Sequence, residues 1–267
     1  HSFPTRRSSD LIAPKTFRGF DFEAMVTGLQ PSLPDLQHVV VVGGTGANSF
    51  EALLSGPEWE KASDAQDILT RHRPGPDDVT QLIYTSGTTG EPKGVMHSAN
   101  TVMANIIPYA QRLALGADDV VLMASPMAHQ TGFMYGLMMP IMLQARVVLQ
   151  DIWEPKQAIA LVQSEGATFT MASTPFLTDL ARTVAETGQG VPTLKTFLCA
   201  GAPIPGPLVE QARAALGAKV VSAWGMTENG AVTLTRLDDA DERSFSTDGL
   251  PLPGVEVRVV AIDHHDL

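Results

Sequence analysis

Tyr84-Thr-Ser-Gly-Thr-Thr-Gly-Glu-Pro-Lys-Gly94 closes the apolar stretch Gln81-Leu-Ile-Tyr84, and from Thr85 onward its ten residues carry three glycines, four hydroxyl side chains and one lysine. Glycines allow backbone amides to turn toward a ligand and approach it closely. Successive amides of this kind form an anion cradle, to which hydroxyls and a lysine add donors and one positive charge. The ligand this pattern suits is a polyphosphate. It is not the common P-loop, G-x-x-x-x-G-K-[ST] opening a helix. Lys93 stands between a proline and a glycine, which places it on a loop.

From this loop outward the chain alternates β-branched runs with helical stretches. The runs are 81–85, 119–125, 146–149, 167–171, 194–199 and 219–223, and the helical stretches are 98–115, 132–143, 155–165, 175–187 and 205–216. Prolines 155, 175 and 205 fall where a first helical turn tolerates them. The alternation predicts an α/β fold, a doubly wound and mostly parallel sheet with flanking helices. Residues 38–42 and 49–55 add an earlier strand–helix unit, and Pro74-Gly-Pro-Asp-Asp78 reads as a linker. Val39-Val-Val-Val-Gly-Gly-Thr-Gly46 invites a dinucleotide-binding reading. Its third glycine is replaced by Ser49, however, and no acidic residue follows a convincing second strand, so a structural turn is favoured.

Ligands in open parallel sheets collect at the carboxyl ends of the strands. Four loops each follow an expected strand: 86–94, 126–132 (PMAHQTG), 199–205 (CAGAPIP) and 224–230 (WGMTENG). The topology therefore predicts that they converge on one edge.

Composition bounds the rest. The 267 residues are 44% hydrophobic and 18% charged, enough for a sizeable core. A net charge of −11 without a basic cluster argues against a nucleic-acid partner. The single cysteine, Cys199, excludes an internal disulfide and fits a reducing, cytoplasmic compartment. The apolar run 132–143 is about half of the ~20 residues a membrane span needs, so it reads as a buried helix. The acidic run Asp238, Asp239, Asp241 and Glu242 reads as a solvated loop. Residues 1–11 share no pattern with the rest of the chain and read as a non-native leader. The alternating run 255–263 reads as a terminal strand without a partner. Both ends thus suggest a fragment. The domain reading is a leader at 1–11, a partial first α/β subdomain and linker at 12–80, a nucleotide-binding α/β subdomain at 81–236 and the start of a truncated β subdomain at 237–267.

The loop 85–94 resembles the signature loop of the adenylate-forming superfamily, which contains acyl-CoA synthetases, luciferases and peptide-synthetase adenylation domains. The resemblance covers about 12–267 and implies a role for each matching residue. Thr85, Ser86, Gly87, Thr88, Thr89, Gly90 and Lys93 bind phosphates. Gly201, Ala202 and Pro203 lie along the adenine ring. Trp224, Gly225 and Met226 lead into Thr227, which touches the α-phosphate, and Glu228, which binds Mg²⁺. His129 takes the position of an aromatic gate to the acyl pocket. From the residues themselves, Gly132, Met134, Met127, Phe133 and Met138 are candidates for an apolar acyl pocket, since methionine adapts to irregular shapes; plain core is their other reading. Lys93, Thr227 and Glu228 are the catalytic candidates.

The implied activity is ATP-dependent conversion of a carboxylic acid to acyl-AMP and then, with coenzyme A, to acyl-CoA. Phe17-Arg-Gly-Phe-Asp-Phe22 is similar to segments of medium-chain and alicyclic acid–CoA ligases. An amino-acid adenylation domain is the nearest alternative, but it would need an acid near His129-Gln-Thr-Gly132, where there is none. A nucleotide-binding remnant without turnover is a second alternative. The family's ribose-binding aspartate and lid lysine have no counterpart here, so the chain alone is not expected to make acyl-CoA.

Overall fold

The computed structural model describes residues 10–85 and 92–260, and the chain divides into two compact units at Arg73/Pro74. In the first unit, strands β1 (Asp10–Pro14) and β4 (His38–Val42) pair in parallel. Asp10 and Leu11 are therefore part of the fold, although their sequence reads as leader. The short strands β2 (Thr16–Phe17) and β3 (Phe20–Asp21) form a hairpin. Asp21 caps helix α1 (Phe22–Leu29) by accepting from the amide of Ala24 at 2.8 Å. After β4 the glycine-rich segment closes as a turn, with Gly44 N–H donating to the Val41 carbonyl at 3.2 Å. The helix expected at 49–55 is a π-helical winding over Glu51–Ser55, and α2 (Ala65–Arg71) ends the unit.

The second unit opens with a hairpin of β5 (Val79–Thr85) and β6 (Lys93–Ser98). This corrects two expectations. The run 81–85 does not join the parallel sheet but pairs antiparallel with β6, and Lys93 begins a strand, opposite Thr85, instead of lying on a loop. The reason is visible in burial. Along β5 only alternate positions, Gln81 and Ile83, are buried, whereas all of β9 (Phe169–Ala172) is buried. A strand covered on one face suits a hairpin; one covered on both suits the centre of a parallel sheet.

The main sheet has seven strands in the order β13-β12-β11-β10-β9-β7-β8. Here β7 is Val120–Met123, β8 Arg146–Leu149, β10 Thr196–Ala200 and β11 Lys219–Met226. Strands β7 to β11 run parallel, and β12 (Gly230–Leu234) and β13 (Leu250–Pro251) add antiparallel at one edge. Side chains alternate between the two faces, as strand geometry requires. Leu122, Phe197, Cys199 and Val220 join the cluster under α5 (Pro155–Glu165), α6 (Thr174–Thr187) and α7 (Gly206–Leu216). Val121, Met123, Leu198 and Val221 join the cluster under α3 (Ala99–Arg112) and the segment that runs through a π-helical Thr131–Met138 into α4 (Met139–Leu143).

Pro155 and Pro175 occupy first helical turns, as expected. Pro205 stands one residue outside α7, at its N-cap. The acidic run is not merely solvated. Asp241 accepts from the Lys219 ammonium at 2.8 Å and also pairs with Arg213, which ties the segment around α8 (Arg243–Ser246) back to β11. Residues 255–260 of the alternating run form no strand. Among the described residues no helix is long and apolar enough to cross a membrane.

Candidate active site

A cavity of about 450 Å³ opens where the parallel strands end. Its wall takes Thr85 from the end of β5, Ser125, Pro126, His129 and Gln130 from the loop after β7, Ala200 and Gly201 from the end of β10, and Trp224 to Glu228 from β11 and its turn. Its floor is apolar, built from Tyr135, Met171, Ala172, Phe176 and Ala223. The ring of Phe176 packs on that of Trp153 at 4.7 Å between centroids, which fixes one wall.

The turn that closes the cavity is shaped by a bulge. The β11–β12 register shifts between Trp224 and Gly225. A Cβ on Gly225 would lie 2.0 Å from the Gly230 carbonyl oxygen, so the two strands meet closer than any side chain permits. The bulged strand re-aims Trp224, Thr227 and Glu228 toward the cavity. Met226 N–H donates to the Asn229 side-chain oxygen at 3.2 Å, closing the turn on itself.

Buried side chains from three elements support this turn. His97 Nε2 lies 2.8 Å from the Thr227 carbonyl and its Nδ1 lies 3.1 Å from Thr101 Oγ1. The Asn105 amide donates to the carbonyls of Asn229 at 2.8 Å and Ala231 at 2.7 Å. The Tyr135 hydroxyl donates to Asn105 Oδ1 at 2.6 Å and accepts from Ala231 N–H at 2.8 Å. The rings of Tyr135 and Tyr109 stack with centroids 4.2 Å apart. Burial pushes both phenols well above the ordinary tyrosine range; for Tyr135 the Ala231 amide works the other way but is the smaller effect. Both stay neutral donors at any ordinary pH.

Sequence-derived candidates divide by position. Thr85, His129, Gly201 and Trp224, Gly225, Met226, Thr227 and Glu228 all meet at the cavity. His129 is exposed, and its Nδ1 accepts from Thr131 N–H at 3.1 Å. Ala202 and Pro203 continue the loop as exposed residues outside the cavity wall, and Lys93 is exposed beside Thr85 on the hairpin. Ser86, Gly87, Thr88, Thr89 and Gly90 lie outside the described residues. Met134 is fully buried in the core beneath α3 and does not line the cavity. Gly132 is packed against the Pro126 carbonyl, where a Cβ would come within 2.2 Å. Met138 packs against the same core as Met134, and Met127 and Phe133 also lie off the wall. The apolar floor is made instead by Met171 and Phe176, two strands' worth of chain further on.

His97, Asn105, Tyr135 and Gln130 had no functional reading in the sequence. For Asn105 a signal existed: it shares a helix face with Val102, Ile106 and Tyr109, and an amide on an apolar face must find partners. Gln130 is bonded to Gln81 of the hairpin at 3.0 Å, inside the protein. Glu228 is the one carboxylate on the described wall, and neither Lys nor Arg lines it among the described residues. Those residues contain no group of three or more His, Cys, Asp or Glu arranged to hold a metal alone.

A parallel α/β sheet with glycine- and hydroxyl-bearing loops gathered around a cavity at its strand ends defines a small-molecule-binding protein of the doubly wound class. The chain belongs to the AMP-binding enzyme family, whose family model matches residues 11–267. It is 33% identical over 249 residues to a medium-chain fatty-acid–CoA ligase of Escherichia coli, covering 93% of this chain and 43% of that protein. It is 29% identical to a 2-hydroxy-7-methoxy-5-methyl-1-naphthoate–CoA ligase of Streptomyces carzinostaticus, covering 95% of this chain and 46% of that protein. Its fold is that of the long-chain-fatty-acid–CoA ligase FadD1 of Archaeoglobus fulgidus, with a TM-score of 0.77 at 21% identity over 97% of this chain and 50% of the other. The chain spans about half the length of the relatives it matches.

Proposed function

We propose that this chain carries the acid-activating site of an ATP-dependent acid–CoA ligase. One observation carries the reading: Thr85, His129, Gly201 and the Trp224–Glu228 segment, distant in sequence, face one cavity at the carboxyl ends of the parallel strands. The CoA-ligase names of its relatives support the reaction class.

The residues suit a nucleotide. At Gly201, φ is +93° and the space where a Cβ would stand is open, so a flat base packs directly on the backbone there, beside Ala202 and Pro203. Thr227 is half-buried and Glu228 exposed on the same turn at the cavity wall, which supports roles for this hydroxyl and this carboxylate toward the phosphates. Mg²⁺ takes one or two carboxylates and completes its shell with phosphate oxygens and water, and Glu228 is the one carboxylate on the wall among the described residues. When bound, that ion offsets charge on the phosphates. Lys93, with the hydroxyls and amides of loop 85–90, gives the phosphates their cationic and hydrogen-bonding contacts.

In the reaction, the carboxylate oxygen of the acid forms a bond to the α-phosphorus of ATP and pyrophosphate leaves with its bonding pair. The thiol of coenzyme A then attacks the acyl carbonyl and AMP leaves. This chain's contribution is position and charge. Thr227 and Lys93 meet the developing negative charge, and the apolar floor holds the acyl body clear of water. Burial of an apolar acyl group against Tyr135, Met171 and Phe176 suits a medium-sized carboxylic acid without an ammonium group. His129 stands at the mouth, where an aromatic ring gates access. The lone buried Cys199 accords with a cytoplasmic location.

Calorimetry of the chain with Mg-ATP, AMP and inorganic sulfate tests the nucleotide site. Binding of ATP and AMP well above sulfate is expected. Equal heats for ATP and sulfate would remove the adenine pocket and the proposal with it.

A further inference from the structure

We infer that His97 is a positioning residue for this site, holding the Thr227–Glu228 turn through its ring. The residue is 2% exposed, near the end of β6, and stands 130 positions from the carbonyl it reaches. A carbonyl has no proton to give, so Nε2 carries the hydrogen and donates to Thr227 O at 2.8 Å. Nδ1 faces Thr101 Oγ1 at 3.1 Å. Thr101 is itself locked: its hydroxyl oxygen accepts from Ser98 N–H at 3.0 Å, and its own N–H donates to Ser98 Oγ at 3.3 Å, forming the capping box of α3. One side of the ring is thus anchored to the rigid start of a helix, and the other reaches the turn on the cavity wall.

The turn needs such an anchor. Met226 pairs with Gly230, leaving Thr227, Glu228 and Asn229 to make the reversal. The Asn229 carbonyl is held by Asn105 and the Met226 amide by Asn229 Oδ1. Among the described residues the Thr227 carbonyl accepts from His97 alone. Without that donor the peptide between Thr227 and Glu228 is free to rotate, which swings the carboxylate and the hydroxyl out of register together. Preorganised groups at a charged site lose effect when misplaced by about an ångström. The inference rests on the reading of Thr227 and Glu228 as facing the nucleotide.

Two near-isosteric variants separate the ring's two bonds. In His97→Gln the amide nitrogen reaches about as far as Nε2 and keeps the donor to Thr227. In His97→Asn it reaches only about as far as Nδ1, so the bond to Thr227 is lost. Two readouts apply to the chain as it stands: amide hydrogen exchange of the peptide covering 226–230, and Mg-ATP affinity from the fluorescence of Trp224 on the cavity wall. His97→Asn is expected to speed exchange in that peptide, with β9 and β10 unchanged, and to weaken Mg-ATP roughly tenfold, the scale of one hydrogen bond. His97→Gln is expected to stay within about threefold of the parent. Unchanged exchange and affinity in His97→Asn would overturn the inference, as would equal losses in both variants accompanied by faster exchange throughout the sheet. If the parent chain binds no Mg-ATP and His97→Asn still frees the turn, the nucleotide reading fails while the positioning role stands.

Discussion

Helices α5, α6 and α7 close one face of the seven-stranded sheet almost wholly with aliphatic side chains, whereas α3 and the segment 131–143 close the other with two stacked tyrosines, a buried asparagine and a π-helical winding. The first face lends the cavity floor only Ala172 and Phe176, and the rest of its core serves to exclude water. The second sends hydrogen bonds from its core to the cavity turn: Asn105 and Tyr135 both end on the backbone of 229–231. Most of the cavity floor, including Tyr135, Met171 and Ala223, also belongs to this second core. The contrast teaches that polar groups and irregular windings are concentrated where they hold the site, and that the regular face is scaffold.

The largest effect is expected on the scaffold face. Leu180 on α6 is 1% exposed, and Leu180→Ala is expected to destabilise the fold by about 3 kcal/mol through lost transfer energy and a residual cavity. Urea unfolding reads this, and Mg-ATP affinity of the folded fraction should not change. A loss of affinity at unchanged stability would break the division of labour between the faces.

Next comes the site itself. In a polypeptide completed to the full length of its relatives, Glu228→Gln is expected to lower acid-dependent pyrophosphate exchange by roughly 10²-fold, as is Lys93→Ala, each the scale of one preorganised charge. Because Glu228 is exposed, its unfolding midpoint should barely move. Unchanged exchange rates in both variants would sink the assignment of these residues.

Tyr135→Phe sharpens the comparison, because it removes a hydroxyl bonded to both Asn105 and Ala231. A loss of about 1–2 kcal/mol in stability is expected, from a buried amide left with one fewer partner. A several-fold loss in Mg-ATP affinity should accompany it, unlike in Leu180→Ala. A pure stability change would reduce the second face to scaffold as well.

The smallest effect at ordinary pH concerns the same tyrosines. Burial raises the folded-state pKa of Tyr109 and Tyr135 above the unfolded value near 10. Groups raised in this way contribute stability that is full below the unfolded pKa and is lost as pH climbs toward the folded one. The expected result is a flat unfolding midpoint up to about pH 9 and a decline above pH 10. Their tyrosinate absorbance at 295 nm should appear only as the chain unfolds. Ionisation of both without unfolding would show that the second core is wetter than its burial indicates.

The parallel sheet was legible because its strands are short, β-branched and bounded by helix-starting prolines, a pattern set by local periodicity. The convergence of 126–132, 199–205 and 224–230 followed from strand direction alone, since parallel strands present their carboxyl ends together. Residues 81–85 were harder. An apolar run of that length suits a sheet centre or a hairpin equally, and only the partner strand at 93–98 distinguishes them. Met134 was similarly ambiguous: a methionine at helical spacing looks the same to the sequence whether it faces a ligand or the core, and here α3 covers it. His97 and Thr227 show the limit most clearly. Nothing in the hexapeptide around His97 names a carbonyl 130 residues away. Periodicity and turn chemistry act between near neighbours, so they determine elements and loop ends from sequence. Which buried donor meets which carbonyl depends on long-range packing, and that is settled only when the second face of the sheet closes over α3 and the cavity turn.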